Sequence, residues 1–372
     1  ALARSERPPL HAMSNPRPPR PIDSAAAPRY VVGIDLGTTN SAVCFVDTAE
    51  RPWRVRTFQI AQMVAPGVVE PRDGLPSFHY QTAPGELAAG ALGAPRTREQ
   101  RDWIVGQFAR DHGAIVPGRA IWSAKSWLCH AGIDRTAAVL PWHAAADVER
   151  LSPVEVSGRY LAHIRECWDH RFANDPLASQ DVVLTLPASF DEVARELTVK
   201  AAALAGLPRV VLVEEPQAAF YAWIDAHRDD WDRYVAPGRK ILVCDIGGGT
   251  TDLTLIRVRR GEGGNVQFHR VAVGEHLILG GDNMDLALAE HLEQRLRQAR
   301  RAGDGSGGDE PGAAKASEPA EAASRKAGSE PLPHEPADRD EKLPPRQWAA
   351  LRSEEHTSEL QSQFHLVCRL LL

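Results

Sequence analysis

Apolar residues in this chain fall into short runs broken by glycine, threonine and aspartate, and two of these arrangements repeat one another. Val31-Val32-Gly33-Ile34 leads into Asp35-Leu36-Gly37-Thr38-Thr39-Asn40 and out through Ser41-Ala42-Val43. Ile241-Leu242-Val243-Cys244 leads into Asp245-Ile246-Gly247-Gly248-Gly249-Thr250-Thr251-Asp252 and out through Leu253. Each reads as strand, tight turn, strand, over Tyr30–Val46 and Lys240–Val258. Further apolar runs predict strands at Leu75–Tyr80, Asp181–Leu186, Val210–Val213 and Val266–Val273. Helices are predicted over Arg101–Asp111, Ile121–Leu128, Pro216–Arg228 and Asp285–Arg300.

One helix start is written in full. Ser152 is an N-cap, Pro153 suits the first turn and Glu155 completes a capping box, after which Val156, Tyr160, Leu161, Ile164 and Trp168 share one apolar face. Ser189-Phe190-Asp191-Glu192 reads as a second capping box, with Val193, Leu197, Ala201 and Leu204 lining a helix that stops at Gly206. Strand pair, helix, strand, helix recurs in each half, which specifies an α/β chain with an internally repeated plan.

The repeated turns carry the candidate chemistry. Gly37 and Gly247-Gly248-Gly249 permit backbone conformations that a Cβ forbids, so that backbone N–H groups can converge on an anion. Thr38, Thr39, Thr250 and Thr251 add hydroxyl donors. Asp35 and Asp245 close the strands before the turns. Carboxylates repel a phosphate, and a hydrated Mg²⁺ is the natural mediator between them. One such turn binds an anion, whereas two facing turns can clamp a nucleoside triphosphate. The P-loop pattern G-x-x-x-x-G-K-[ST] is absent, and Gly261-Glu262-Gly263-Gly264-Asn265 reads as a hairpin turn rather than a dinucleotide fingerprint.

Composition sets limits on this picture. The chain has 372 residues, 43% of them hydrophobic, and a formal charge of −6, enough for a large two-lobed unit without general attraction to nucleic acid or an anionic membrane. No stretch reaches transmembrane length and no secretory signal is visible. The five cysteines form no C-x-x-C pair and suit reduced thiols in a cytoplasmic protein. Residues 1–29 are expected to be disordered, and Met13 is a candidate start that makes 1–12 upstream read-through. Residues 301–345 read as a disordered low-complexity insertion and 346–351 as the start of another helix. Residues 352–372 read as a non-native tail, since Arg352–Ser362 looks like a translated sequencing adapter.

Other motifs supply a resemblance. Val213-Glu214-Glu215-Pro216-Gln217-Ala218-Ala219 resembles the connecting motif of the actin-like ATPases. Gly280-Gly281-Asp282-Asn283-Met284-Asp285 and Leu186-Pro187-Ala188-Ser189-Phe190 resemble stretches of its heat-shock branch. Ser123-Ala124-Lys125-Ser126-Trp127-Leu128 is similar to that branch's Ala-Lys-Arg-Leu segment. Together, from about Tyr30 to Arg300, they resemble the nucleotide-binding domain of the 70-kilodalton heat-shock chaperones (DnaK-like).

The resemblance implies an actin-like ATPase fold of duplicated ribonuclease H-like lobes, with lobe I over 30–214 and a partial lobe II over 215–300, incomplete at its C-terminal end. It implies ATP or ADP as ligand. Asp35 and Asp245 would hold the Mg²⁺ shell through water, and Asp252 a monovalent cation such as K⁺, or water. Gly37, Thr38, Thr39 and Asn40 would cradle phosphate from one lobe. Gly247, Gly248, Gly249, Thr250 and Thr251 would do so from the other, with Gly280 and Gly281 adding nucleotide contacts. Lys125, Glu215, Asp245 and Thr250 would be catalytic: Lys125 would orient the attacking water and stabilise charge on the γ-phosphoryl group, and Glu215 would help place the water and metal shell. Pro187 and Arg195 would form an allosteric switch. Unfolded polypeptides, J-domain proteins and nucleotide-exchange factors would be the full-length protein's partners.

The sequence also departs from that pattern. The stretch from Asp35 to Lys125 is longer than in the family, which implies an insertion. The helix that clamps adenine, the later adenosine motif and the peptide-binding domain do not appear, so this chain is expected to bind ATP weakly. Two rivals share the turn pattern: a sugar kinase of the same superfamily, and an interaction module that has lost turnover. No residue reads as a kinase's general base beside a sugar pocket, and the retained acids, lysine and glycines argue against decay.

Overall fold

The structure is a computed structural model and describes residues 28–87, 101–130, 132–142, 144–227, 229–260, 266–274, 277 and 279–304. The first repeat forms a hairpin of β1 (Tyr30–Leu36) and β2 (Asn40–Asp47), in register from Tyr30 opposite Asp47 to Leu36 opposite Ser41. The short β3 (Arg56–Thr57) continues the sheet beyond β2. A separate hairpin follows, β4 (Ile60–Ala65) with β5 (Val68–Arg72).

The single strand expected over Leu75–Tyr80 is two. β6 (Gly74–Pro76) returns to β2, whereas β7 (Phe78–Gln81) joins a small sheet with β8 (Trp103–Val105) and β9 (Ala120–Trp122). Ser77 lies at the switch, its N–H donating to the Thr39 carbonyl at 2.8 Å. The helix expected over Arg101–Asp111 is confined to α1 (Gln107–Gly113). Gly106, at a φ of 93°, breaks the backbone there, and Ile104 and Val105 bury themselves against β7 instead. In the same way Ser123, at a φ of 54°, divides the helix expected over Ile121–Leu128 into β9 and α2 (Ala124–Trp127).

The Ser152 capping box forms: Glu155 N–H donates to Ser152 Oγ at 3.2 Å and Ser152 N–H to Glu155 Oε2 at 2.7 Å. It starts α3 (Pro153–Arg171), whose Val156, Tyr160, Leu161, Ile164 and Trp168 are buried as predicted. Trp168 packs among Tyr30, Phe45, Phe58 and Phe172 and gives its indole N–H to the Asp175 carbonyl, so the largest core side chain also has its polar atom satisfied. The chain then crosses to β10 (Asp181–Leu186), parallel to β1, and through α4 (Glu192–Leu204) to β11 (Val211–Glu214), parallel to β10.

The second capping box is not built as expected. Asp191, not Ser189, caps α4, accepting from Ala194 N–H at 2.7 Å. The start therefore shifts by two residues and turns the buried face to Ala194, Leu197, Thr198, Ala201 and Ala202, leaving Val193 and Leu204 exposed.

α5 (Glu215–Ala226) leaves the end of β11 directly, and α6 (Trp231–Tyr234) follows. The second repeat is the hairpin of β12 (Lys240–Ile246) and β13 (Thr251–Arg260), with β14 (Val266–Val273) outside β13. Phe220, Ile224, Val235, Ile256, Val258 and Phe268 make its smaller core. α7 (Gly281–Asp304) starts four residues before the predicted Asp285 and continues through Arg301–Asp304. β1 has β10 on its far edge, but among the described residues no strand pairs with the far edge of β12, whose Leu242 and Ile246 are exposed. Residues 1–27, the Gly261–Asn265 turn and residues 305–372 lie outside the described residues. No described helix is long and apolar enough to cross a membrane.

Candidate phosphate and metal site

The two repeated turns face each other. A Cβ on Gly248 would collide with Thr39 Oγ1, and one on Gly249 would come within 2.9 Å of both Thr38 Cγ2 and Ser126 Oγ. Side chains of the first turn thus occupy the space that glycines of the second leave open. Gly37 is held to glycine by its own turn, because a Cβ there would collide with the Asn40 carbonyl.

Each turn is braced from behind. Ser77 Oγ donates to the Gly37 carbonyl at 2.7 Å, and Tyr160 OH fixes Ser77 by donating to its carbonyl at 2.9 Å. The second turn closes on itself through Gly247 N–H to Thr250 O at 2.8 Å. Gly281 N–H donates to the Gly247 carbonyl at 3.0 Å, and a Cβ on Gly280 would lie 2.5 Å from the carbonyls of Gly247 and Gly248. Gly280 and Gly281 therefore support the turn's outer side. Thr251 Oγ1 likewise donates to the Leu279 carbonyl at 2.7 Å and is occupied away from the opposite turn.

Charged side chains gather beside the turns. Lys125, on α2 and 5% exposed, forms an ion pair with Glu215 at the start of α5. Asp35, at the end of β1, accepts from Thr185 Oγ1 of β10 at 2.6 Å. Asp245, at the end of β12, lies opposite the buried Asp252 in the hairpin. These groups sense one another. Burial pushes the Glu215 carboxyl up to about 8, against the pull of Lys125 and with the further push of Asp245 and Asp35. Burial and then Asp35 raise Asp245 to about 6. Burial works against the charge on Lys125, yet Glu215, Asp35 and Asp245 together hold its pKa above the ordinary lysine value.

Three carboxyl groups surround one ammonium, and a divalent cation beside them would favour their ionised forms. Among the described residues no three His, Cys, Asp or Glu side chains are placed to ligate an ion directly. Carboxyl groups at the ends of β1 and β12, beside two turns that can hold phosphate, fit a hydrated Mg²⁺ held through its waters. The buried Thr39 Oγ1 has no hydrogen-bond partner and faces the opposite turn, as a donor awaiting a phosphate oxygen would.

The sequence-predicted switch residues lie behind this cluster. Pro187 follows β10, and its carbonyl accepts from Phe190 N–H at 3.2 Å. Arg195 donates to the Phe190 carbonyl at 3.2 Å and to Glu214 Oε1 at 2.8 Å, where Arg270 of β14 also binds. Glu214 precedes Glu215, so Arg195 is one peptide unit from the Lys125 partner. Thr185, Ser77 and Arg270 escaped the sequence reading. Thr185 had one available signal, its position in a strand that the first hairpin could accept as a parallel neighbour.

A family model described as Hsp70 protein matches residues 100–327. Chaperone protein HscA of Salmonella agona (strain SL483) is 32% identical over 291 residues, covering 74% of this chain and 40% of the relative. HscA of Salmonella paratyphi C (strain RKS4594) matches with the same identity and coverage. The chain belongs to the Hsp70 family. That membership gives it the actin-like ATPase fold and accounts for the repeated hairpins. The Hsp70 match includes Lys125, Glu215 and the whole second turn, and these relatives do not favour the sugar-kinase reading. The chain spans about two fifths of the length of the curated relatives it matches.

Proposed function

We propose that the facing turns hold the phosphates of MgATP and that the Lys125–Glu215–Asp245 cluster promotes hydrolysis of its terminal phosphoryl group, as the nucleotide-driven part of a DnaK-like chaperone. The observation that carries this reading is the convergence of two glycine-threonine turns on one charged cluster containing a buried lysine.

The turn amides of residues 37–40 and 247–250, with the hydroxyls of Thr38, Thr39 and Thr250, bind phosphate oxygens and fix their orientation. Asp35 and Asp245 would accept hydrogen bonds from the waters of the metal shell, and Asp252 would coordinate a K⁺ ion through a carboxylate oxygen or accept a hydrogen bond from a water. Bound Mg²⁺ neutralises charge on the phosphates. Lys125 holds the attacking water by a hydrogen bond from Nζ and opposes the charge that grows on the terminal phosphoryl oxygens. Glu215 fixes the Lys125 ammonium and accepts from the same water. Lobe I over 30–214 and the partial lobe II over 215–300 carry one turn each, and their relative motion passes through Pro187 and Arg195. In the whole protein this drives binding of unfolded polypeptides, with J-domain and nucleotide-exchange partners, in the cytoplasm.

Single-turnover hydrolysis of MgATP tests this reading. Lys125→Ala is expected to lower the rate by about 100-fold or more, the loss typical of removing one preorganised charge-stabilising donor. Equal rates for wild type and variant would remove Lys125 from the mechanism.

A further inference from the structure

Ser126 has no role in the reading above, yet its hydroxyl lies against the second turn at Gly249. Ser126 Oγ is buried with no hydrogen-bond partner. It faces Gly249, where an added Cβ would come within 2.9 Å of it. Thr39 Oγ1, the other buried and unpartnered hydroxyl here, faces the adjacent Gly248. Two unsatisfied hydroxyls from separate elements thus converge on consecutive residues of one glycine turn. A buried hydroxyl without a partner is costly, and a ligand oxygen between the turns would satisfy both.

We propose that Ser126 is a phosphoryl-contact residue whose Oγ–H donates to a terminal phosphate oxygen of bound nucleoside triphosphate. The assignment rests on the nucleotide reading above and adds to it. Ser126 and Lys125 stand on one short helix, Ser126 Oγ against Gly249 of the second turn and Lys125 in its ion pair with Glu215, so the two side chains flank the space between the turns and the charged cluster. Thr39, on the opposite element, reaches an oxygen nearer Gly248. The segment that this stretch resembles carries arginine at this position. Here a short hydroxyl side chain stands in its place, and its Oγ and Thr38 Cγ2 each lie 2.9 Å from where a Cβ on Gly249 would be. Recognition of the terminal group here rests on hydrogen bonding beside a single lysine, which makes it sensitive to loss of one donor.

Equilibrium titration of the 372-residue chain with MgAMP-PNP and with MgADP tests the assignment. Ser126→Ala is expected to weaken MgAMP-PNP binding about 10-fold, the usual consequence of losing one hydrogen bond to a charged group, and to leave MgADP within about twofold. Unchanged affinity for both, or equal weakening of both, overturns the contact, because a purely structural serine does not distinguish the two ligands. A wild-type chain that binds neither nucleotide overturns the nucleotide reading and the Ser126 assignment with it. Wild-type binding with an indifferent variant overturns the assignment alone.

Discussion

The Asp245 carboxyl shows how single residues set the conditions under which this site works. Its pKa is raised from 3.8 to about 6, so the folded chain retains a proton that the unfolded chain releases over that interval. Ionising Asp245 therefore lowers folded stability as pH rises from 3.8 to about 6, a cost that a divalent cation bound as proposed would offset. Cation binding favours the ionised form and must displace the proton. Mg²⁺ affinity in the presence of ADP is accordingly expected to fall as pH drops below about 6, approaching tenfold per unit for one displaced proton, while any change near pH 8 belongs to Glu215. Asp245→Asn should abolish that pH dependence and weaken Mg²⁺ binding, and a wild-type affinity flat down to pH 5 would contradict the coupling. The position of Asp245 before a glycine turn was readable from sequence. Its coupling to Asp35, Lys125 and Glu215 was not, because those residues meet only when the two hairpins face each other.

At the scale of elements, legibility depended on whether local signals competed. The α3 start was unambiguous, since Ser152, Pro153 and Glu155 all specify the same residue as N-cap. Ser152→Ala is expected to cost about 1 kcal/mol of stability, read as a lower urea midpoint at unchanged m-value. No shift in midpoint would show that the Ser152 hydroxyl contributes nothing to the helix start. At α4, Ser189 and Asp191 both qualify as caps, and tertiary contact favours Asp191, whose two carboxylate oxygens also accept from Arg135 Nη1 at 2.8 Å each. Around Arg101–Asp111 the apolar residues satisfy helical and strand spacing alike. The strand prevails for Trp103–Val105 because the edge of β7 is available, and no sequence window contains that edge. The β4–β5 hairpin was missed for another reason: Pro71 and the charged Glu70 and Arg72 conceal the strand pattern on its exposed side.

At the scale of the whole molecule, the internal repeat was the most reliable signal, since it predicted two equivalent hairpins and both formed with their aspartates at matching strand ends. The equivalence stops at the sheet edges. β1 is covered by β10 and buried, while β12 exposes Leu242 and Ile246 along an edge with no described partner. The site nevertheless contains both turns, because they depend on the hairpins and on Ser77, Gly280 and Gly281 behind them. The central claim is that these turns close on a magnesium nucleotide, and Gly248 is where they meet. Calorimetric titration of MgADP into wild type and Gly248→Val tests it most directly. The wild-type chain should bind in a Mg²⁺-dependent manner and the variant at least about 100-fold more weakly, because its side chain occupies the position of Thr39 Oγ1. Equal affinity of the two proteins would show that the nucleotide is not held between the turns.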